Sequence, residues 1–188
     1  MEYVKALAIT IGYSVDVFIA SVSFGLMIRK LTSKKIIGIS LIFAINQSVT
    51  AWLSYQLFDS IAGYLECINH WISFVALLLI GIFMLIHSYH NVEFDQKESK
   101  IRWVLVLLVS VAAATDIWSL ATKDTLVQIV EWIGILIIGI EAILSAVLGI
   151  LLGHYLGVRY RYKSEFAAGI LLIVLAIKLL FVGVFRCT

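Results

Sequence analysis

The chain has 188 residues, of which 62% are hydrophobic and only 14% charged, with a formal net charge of +2. Soluble domains lie nearer half apolar and a quarter charged, so this composition excludes a water-exposed fold and points to an integral membrane protein. The small positive charge forms no basic stripe, and no nucleic-acid motif accompanies it.

Six stretches reach about 20 residues, the length that crosses a ~30 Å hydrocarbon layer as a helix. They run over residues 7–27, 36–58, 67–89, 103–122, 132–155 and 166–185. Proline is absent and no ten-residue alternating pattern occurs, which predicts an all-α protein of six transmembrane helices rather than a barrel. The first span is expected to remain in the protein. It is longer than a signal-peptide core and lacks a basic leader.

That first span carries "GYSVDVFIAS", with Asp16 near its middle. The turn after it holds Arg29, Lys30, Lys34 and Lys35. Span two places Asn46, Gln47 and Thr50 in an isoleucine-rich helix, and Cys67 opens span three. His87, His90 and Glu93 follow at three-residue spacing where span three ends. They read either as a metal-entry point or as a solvated helix end.

The hydrophilic stretch "HNVEFDQKESKIR" then divides the chain. We expect a first three-helix repeat over 1–90, a cytoplasmic loop over 91–102 and a second three-helix repeat over 103–188. Span four carries Asp116, span five Glu141 and span six Lys178, with Cys187 near the end. Lys178 can pair with an acid or extend its ammonium towards the interface. The two cysteines lie near the outer ends of spans, without zinc-site spacing.

Ten lysines and arginines fall in the connections after spans one, three and five, against Lys5, Lys123 and Arg186 on the other side. The positive-inside rule therefore predicts both termini outside the cytoplasm, in a multi-pass protein of the cell membrane. Three spans per repeat is an odd number, so a duplicated second half must insert upside down. Secondary transporters are commonly built this way, with their sites near the midplane. "IGYSVDVFIAS" faces "VAAATDIWSLA", with Asp16 and Asp116 one hundred residues apart. "IGISLIFAINQSVT" lies against "IGILIIGIEAILSA" at a shift of 95, which matches Asn46 with Glu141.

An acid at a helix centre costs roughly 2.5–3.5 kcal/mol on insertion scales. Asp16, Asp116 and Glu141 are therefore expected to face the bundle interior or water. A lone intramembrane acid can serve simply to bond a neighbouring helix, but three on different helices suggest a site. Carboxylates, an amide and hydroxyls suit a hard divalent cation such as Mn²⁺ or Mg²⁺. The candidate ligands are Asp16, Asp116 and Glu141, assisted by Asn46, Gln47 and Thr50. Protons displaced by the metal would make such a protein a cation–proton exchanger. No catalytic triad or phosphate-binding glycine loop is present, so neither an enzyme nor an ATP-driven pump is expected, and no cofactor.

The chain resembles the MntP-type manganese efflux pumps of the LysE transporter superfamily. "GYSVDVFIAS" is similar to that family's first-span motif, with Ser14, Asp16, Ala20 and Ser21 in place. "INHWISFVALLLIGIFMLI" is similar to its third span through Asn69, His70, Trp71 and Gly81. "LGILLGHYLG" and "KSEFAAGILLIVLAIKLL" resemble spans five and six, with Gly149, Gly153, Gly157, Glu165 and Gly169. The resemblance implies export of cytoplasmic Mn²⁺ along a path containing Asp16 and Asp116.

The chain also departs from the pattern. Gln47 and Ala51 stand where the family has glutamate and proline, Val15 replaces a methionine, and "AAATDIWSLA" carries Ala114 and bulky Trp118 around the second aspartate. Glu141 can restore the charge lost at Gln47 from the adjacent helix. Two alternatives remain beside the exporter: a divergent membrane interaction protein that no longer transports, and a superfamily transporter of another small solute.

Overall fold

In a computed structural model the described residues are almost entirely helical, with residues 28, 30–32 and 114 lying outside the helices. The structure describes the backbone of residues 2–28, 30–90, 103–114, 117, 131–159 and 164–187; within these, the side chains of 2–13, 55–70, 87–90, 131–133, 165 and 182–187 fall outside it. Five helices are described: α1 (Glu2–Met27), α2 (Ser33–His90), α3 (Trp103–Ala113), α4 (Glu131–Arg159) and α5 (Ser164–Cys187).

Each of the six predicted spans contains an apolar helical segment. Ser33–Ser54 and Gly134–Arg159 are long enough to cross a membrane; Ser14–Met27, Trp71–Ile86, Trp103–Ala113 and Phe166–Phe181 are shorter. Large apolar side chains point outward all around the bundle, among them Ile45, Leu79, Val104, Leu148 and Phe181. That is the surface lipid would cover, and it would be untenable in water. The protein is a membrane protein with helices that present apolar side chains both inward and outward.

Spans two and three, predicted as separate helices over 36–58 and 67–89, belong to the single hydrogen-bonded helix α2. The connecting sequence "DSIAGYLE" holds one glycine and no proline, so nothing in it removes a backbone donor. Nevertheless, α2 is not straight. Phe43 packs edge-on against Phe24 with ring centroids 6.3 Å apart, Asp16 pairs with Lys178, and Gly81 abuts Ile173. Following those contacts, even with every side chain extended and every step collinear, Phe43 and Gly81 lie closer together than a straight helix would hold them. The same stretch of straight helix would span about 57 Å at 1.5 Å per residue.

The tightest contact in the bundle is between α1 and α4. Gly149, Gly153 and Gly157 form a row along α4 that faces Gly25 and the α1 backbone. A methyl group at 149 would sit 2.7 Å from the Phe18 carbonyl oxygen, and one at 157 would sit 2.7 Å from that of Leu26. At 153 it would strike the Val22 carbonyl and lie 3.0 Å from the Gly25 Cα. These contacts rise together along both chains, so α1 and α4 run parallel. The end of this contact is tied by His154, whose Nδ1 lies 2.7 Å from the Ile28 carbonyl oxygen just beyond α1.

Elsewhere the first half of α2 runs parallel to α3, with Gly38 against Trp103 and Asn46 against Ser110. The second half runs antiparallel to α5, where Gly81 and Gly169 abut each other's carbonyl oxygens. One continuous core, including Val17, Phe24, Phe43, Leu77, Val109, Ile150 and Leu175, joins all five helices.

The substitution Gly153→Ala is expected to lower the yield of monodisperse protein sharply and to cost about 2 kcal/mol or more, because only backbone atoms stand in its way. Gly134→Ala should be silent or mildly stabilising, since among the described residues no atom lies within 4 Å of the added methyl and alanine favours the helix. Thermal unfolding of both variants in detergent checks the contrast.

Candidate cation site

Asp16 lies on α1 two residues before Phe18, at the lower edge of the glycine contact, and its residue is fully buried. Its carboxylate Oδ1 accepts from the Lys178 ammonium on α5, forming an ion pair between residues 162 positions apart. The sequence left Lys178 between an acid and the interface, and the structure pairs it with Asp16. The two partners are unequally buried: the Asp16 side chain is 1% accessible, that of Lys178 38%.

A second polar group forms where the first half of α2 meets α3 and α4. The Asn46 side-chain amide donates to Ser110 Oγ, which in turn donates to the Leu107 carbonyl at 2.8 Å. Gln47 is buried, and its Oε1 has no hydrogen-bond partner among the described residues. Ser48 Oγ would meet a methyl at Gly139 at 2.7 Å, so this part of α2 touches α4 beside Glu141. Glu141 and Thr50 are half-buried. One turn further along α2, Ala51 and Ile117 are buried together against Ile135 and Ile138.

The two groups lie at different levels. Phe18 faces Gly149, so Asp16 is level with residue 147 of α4. Glu141 is six residues below that level, about 9 Å at 1.5 Å per residue. Asp116 lies outside the described residues, as do Trp118, Glu93 and the side chains of Cys67, His87, His90 and Cys187. Among the described residues, no three acidic, imidazole or thiol side chains come together in a metal-binding group.

Gln47 Oε1 is the most informative uncharged atom. A buried carbonyl without a donor costs the desolvation it has lost, and in a membrane interior no bulk water compensates. Such an oxygen suits a hard cation. Ser110 is a residue that the sequence reading missed; the signal was a lone hydroxyl in the apolar run "WVLVLLVSVAA".

With this geometry in view, comparison with known proteins gives a consistent answer. A family model described as "Putative manganese efflux pump" matches residues 30–180. The chain belongs to the MntP family. Over nearly its whole length it is also similar to individual members. One named "Putative manganese efflux pump MntP" from Actinobacillus succinogenes is 29% identical over 180 residues, covering 96% of both chains. Proteins of the same name from Bifidobacterium adolescentis and Desulfitobacterium hafniense are 28% and 29% identical, covering 95% and 96% of this chain. No solved structure matches. MntP proteins are named as efflux pumps, so the family is one of transporters and not of enzymes.

Replacing Gln47 with leucine should leave thermal stability unchanged or slightly raised, because an unsatisfied buried carbonyl is removed. Asn46→Leu should lower it by about 1 kcal/mol, because Ser110 loses its donor. Melting of the two purified variants beside the parent distinguishes the roles.

Proposed function

We propose that this protein exports divalent cations, Mn²⁺ foremost, from the cytoplasm as a secondary transporter. The observation that carries the reading is its membership of MntP over nearly the full chain, with a buried intramembrane carboxylate at Asp16. The path runs along the inner faces of α1, α2 and α4. Asp16 is one station, and Glu141 with Gln47, Asn46 and Thr50 is another. Asp116 is the counterpart of Asp16 in the second repeat. The ligands would then act in succession rather than as one shell, consistent with the ~9 Å offset along α4. Protons are the proposed counter-ion, since a carboxylate that holds a metal cannot hold a proton at the same time.

The architecture we infer is six spans in two inverted three-helix repeats, 1–90 and 103–188, joined by a cytoplasmic loop at 91–102 with both termini outside. The contact pattern supports the repeat. An inversion that exchanges spans one and four, two and five, and three and six turns the contact of spans one and five into that of spans four and two. It leaves the contact of three and six unchanged. The reciprocal approach of Gly81 and Gly169 has the form such an axis requires. The register agrees as well. Shifting Ser110 back by one hundred and Asn46 forward by 95 gives residues 10 and 141, which differ by 131. Phe18 and Gly149, Val22 and Gly153, and Leu26 and Gly157 differ by that same number.

One observation favours a second reading. The Lys178 ammonium already neutralises Asp16 through its Oδ1 without a metal, as it would in a non-transporting membrane protein whose acid only ties helices together. Uptake into inside-out vesicles separates the two. Saturable, proton-gradient-driven Mn²⁺ accumulation is expected, falling at least tenfold in Asp16→Asn protein that remains folded. A well-folded parent protein that moves no divalent cation would leave the interaction reading. Accumulation of another solute in place of Mn²⁺ would reassign the cargo.

A further inference from the structure

The Asp16–Lys178 pair has a feature that a simple structural tie does not need: only one partner is buried. Asp16 is on α1 where the glycine row clamps that helix to α4, so its carboxylate is held in place. Lys178 stands at the border of two faces of α5. Leu175, Ala176 and Leu179 point into the core, while Val174, Ile177 and Phe181 are exposed on the outer flank. Its ammonium reaches inward from that border on a four-carbon stem, and much of the side chain remains accessible. The same stem can lie along the apolar flank with its charge turned towards the membrane surface.

We propose that Lys178 is a tethered counter-cation, whose ammonium occupies on Asp16 the place that the transported metal takes. The inference rests on the reading of Asp16 as a metal ligand. Without metal, the ammonium prevents a bare carboxylate from standing in a low-dielectric interior, where an unpaired charge is costly. When a divalent cation arrives, two positive charges converge on one carboxylate side chain and repel, and the one on the flexible stem yields. Asp16 therefore carries a cation both loaded and empty.

This exchange also selects for charge. An ammonium that the fold already seats on Asp16 acts at an effective concentration well above the millimolar values typical of flexible linkers. A free monovalent cation competes with it at equal charge and without the tether. A compact divalent ion has twice the charge and displaces it. Lys178 thus weakens binding of every cation but weakens monovalent binding to the point of exclusion. It is a positioning and specificity residue, not a ligand.

The test is Mn²⁺ binding to purified full-length protein in detergent, by calorimetry and by electron paramagnetic resonance of unbound Mn²⁺, with and without 100 mM K⁺ (about physiological strength). Lys178→Gln should bind Mn²⁺ at least tenfold more tightly and become sensitive to K⁺ competition. Lys178→Arg keeps the charge and pairs with a carboxylate through two parallel hydrogen bonds, so it should bind Mn²⁺ about tenfold more weakly. The Arg variant decides the matter if the Gln variant does not fold. Loss of binding in Asp16→Asn with wild-type affinity in the folded Lys178 variants would overturn the counter-cation and leave the site reading intact. Wild-type Mn²⁺ binding in Asp16→Asn would overturn the site reading, and the counter-cation with it.

Discussion

The close approach of α1 and α4 is the constraint on which the rest of this bundle depends. Lipid tails are as apolar as leucine, so helices in a membrane gain little from hiding apolar surface from one another. They associate through van der Waals contact and hydrogen bonds, and both need short distances. The row Gly149, Gly153, Gly157 removes the side chains that would hold the helices apart, and the α1 backbone settles against it beside Gly25. This contact fixes the height and rotation of α1. Asp16, two residues before the first of these contacts, is fixed with it.

Electrostatics in a low-dielectric interior then determines what gathers around Asp16. A carboxylate that cannot move and cannot reach water must be neutralised by something that can come to it. Lysine suits that purpose because its charge is compact and its stem flexible. The second polar group follows a milder rule, since Asn46, Gln47 and Ser110 are uncharged and can be satisfied by single hydrogen bonds. Asn46 and Ser110 satisfy each other, while Gln47 Oε1 does not find a donor among the described residues. Glu141 lies on α4 beside the point where α2 meets it.

Much of this was legible in the sequence. Six apolar segments could be read directly, because the membrane forces roughly 20 apolar residues into every crossing helix. The burial of Asp16 was legible for the related reason that a mid-span acid cannot face lipid. The four-residue spacing of Gly149, Gly153 and Gly157 likewise puts them on one face of α4. The connection between spans two and three was less legible. A segment with one glycine and no proline can continue a helix or interrupt it, and the contacts of its flanks decide which.

The sequence by itself determined that this is a helical membrane protein with acids in its spans, because composition, period and insertion cost act locally along the chain; its motifs added the resemblance to MntP. Only the tertiary structure decided which groups meet. It brought Lys178 to Asp16 across 162 positions, set Glu141 beside α2 rather than beside Asp16, and bent α2 within one continuous helix. Those outcomes depend on how the helices are rotated and offset against one another. That is set by side-chain volumes at the interfaces, summed over several helices at once, and no single stretch of sequence carries it.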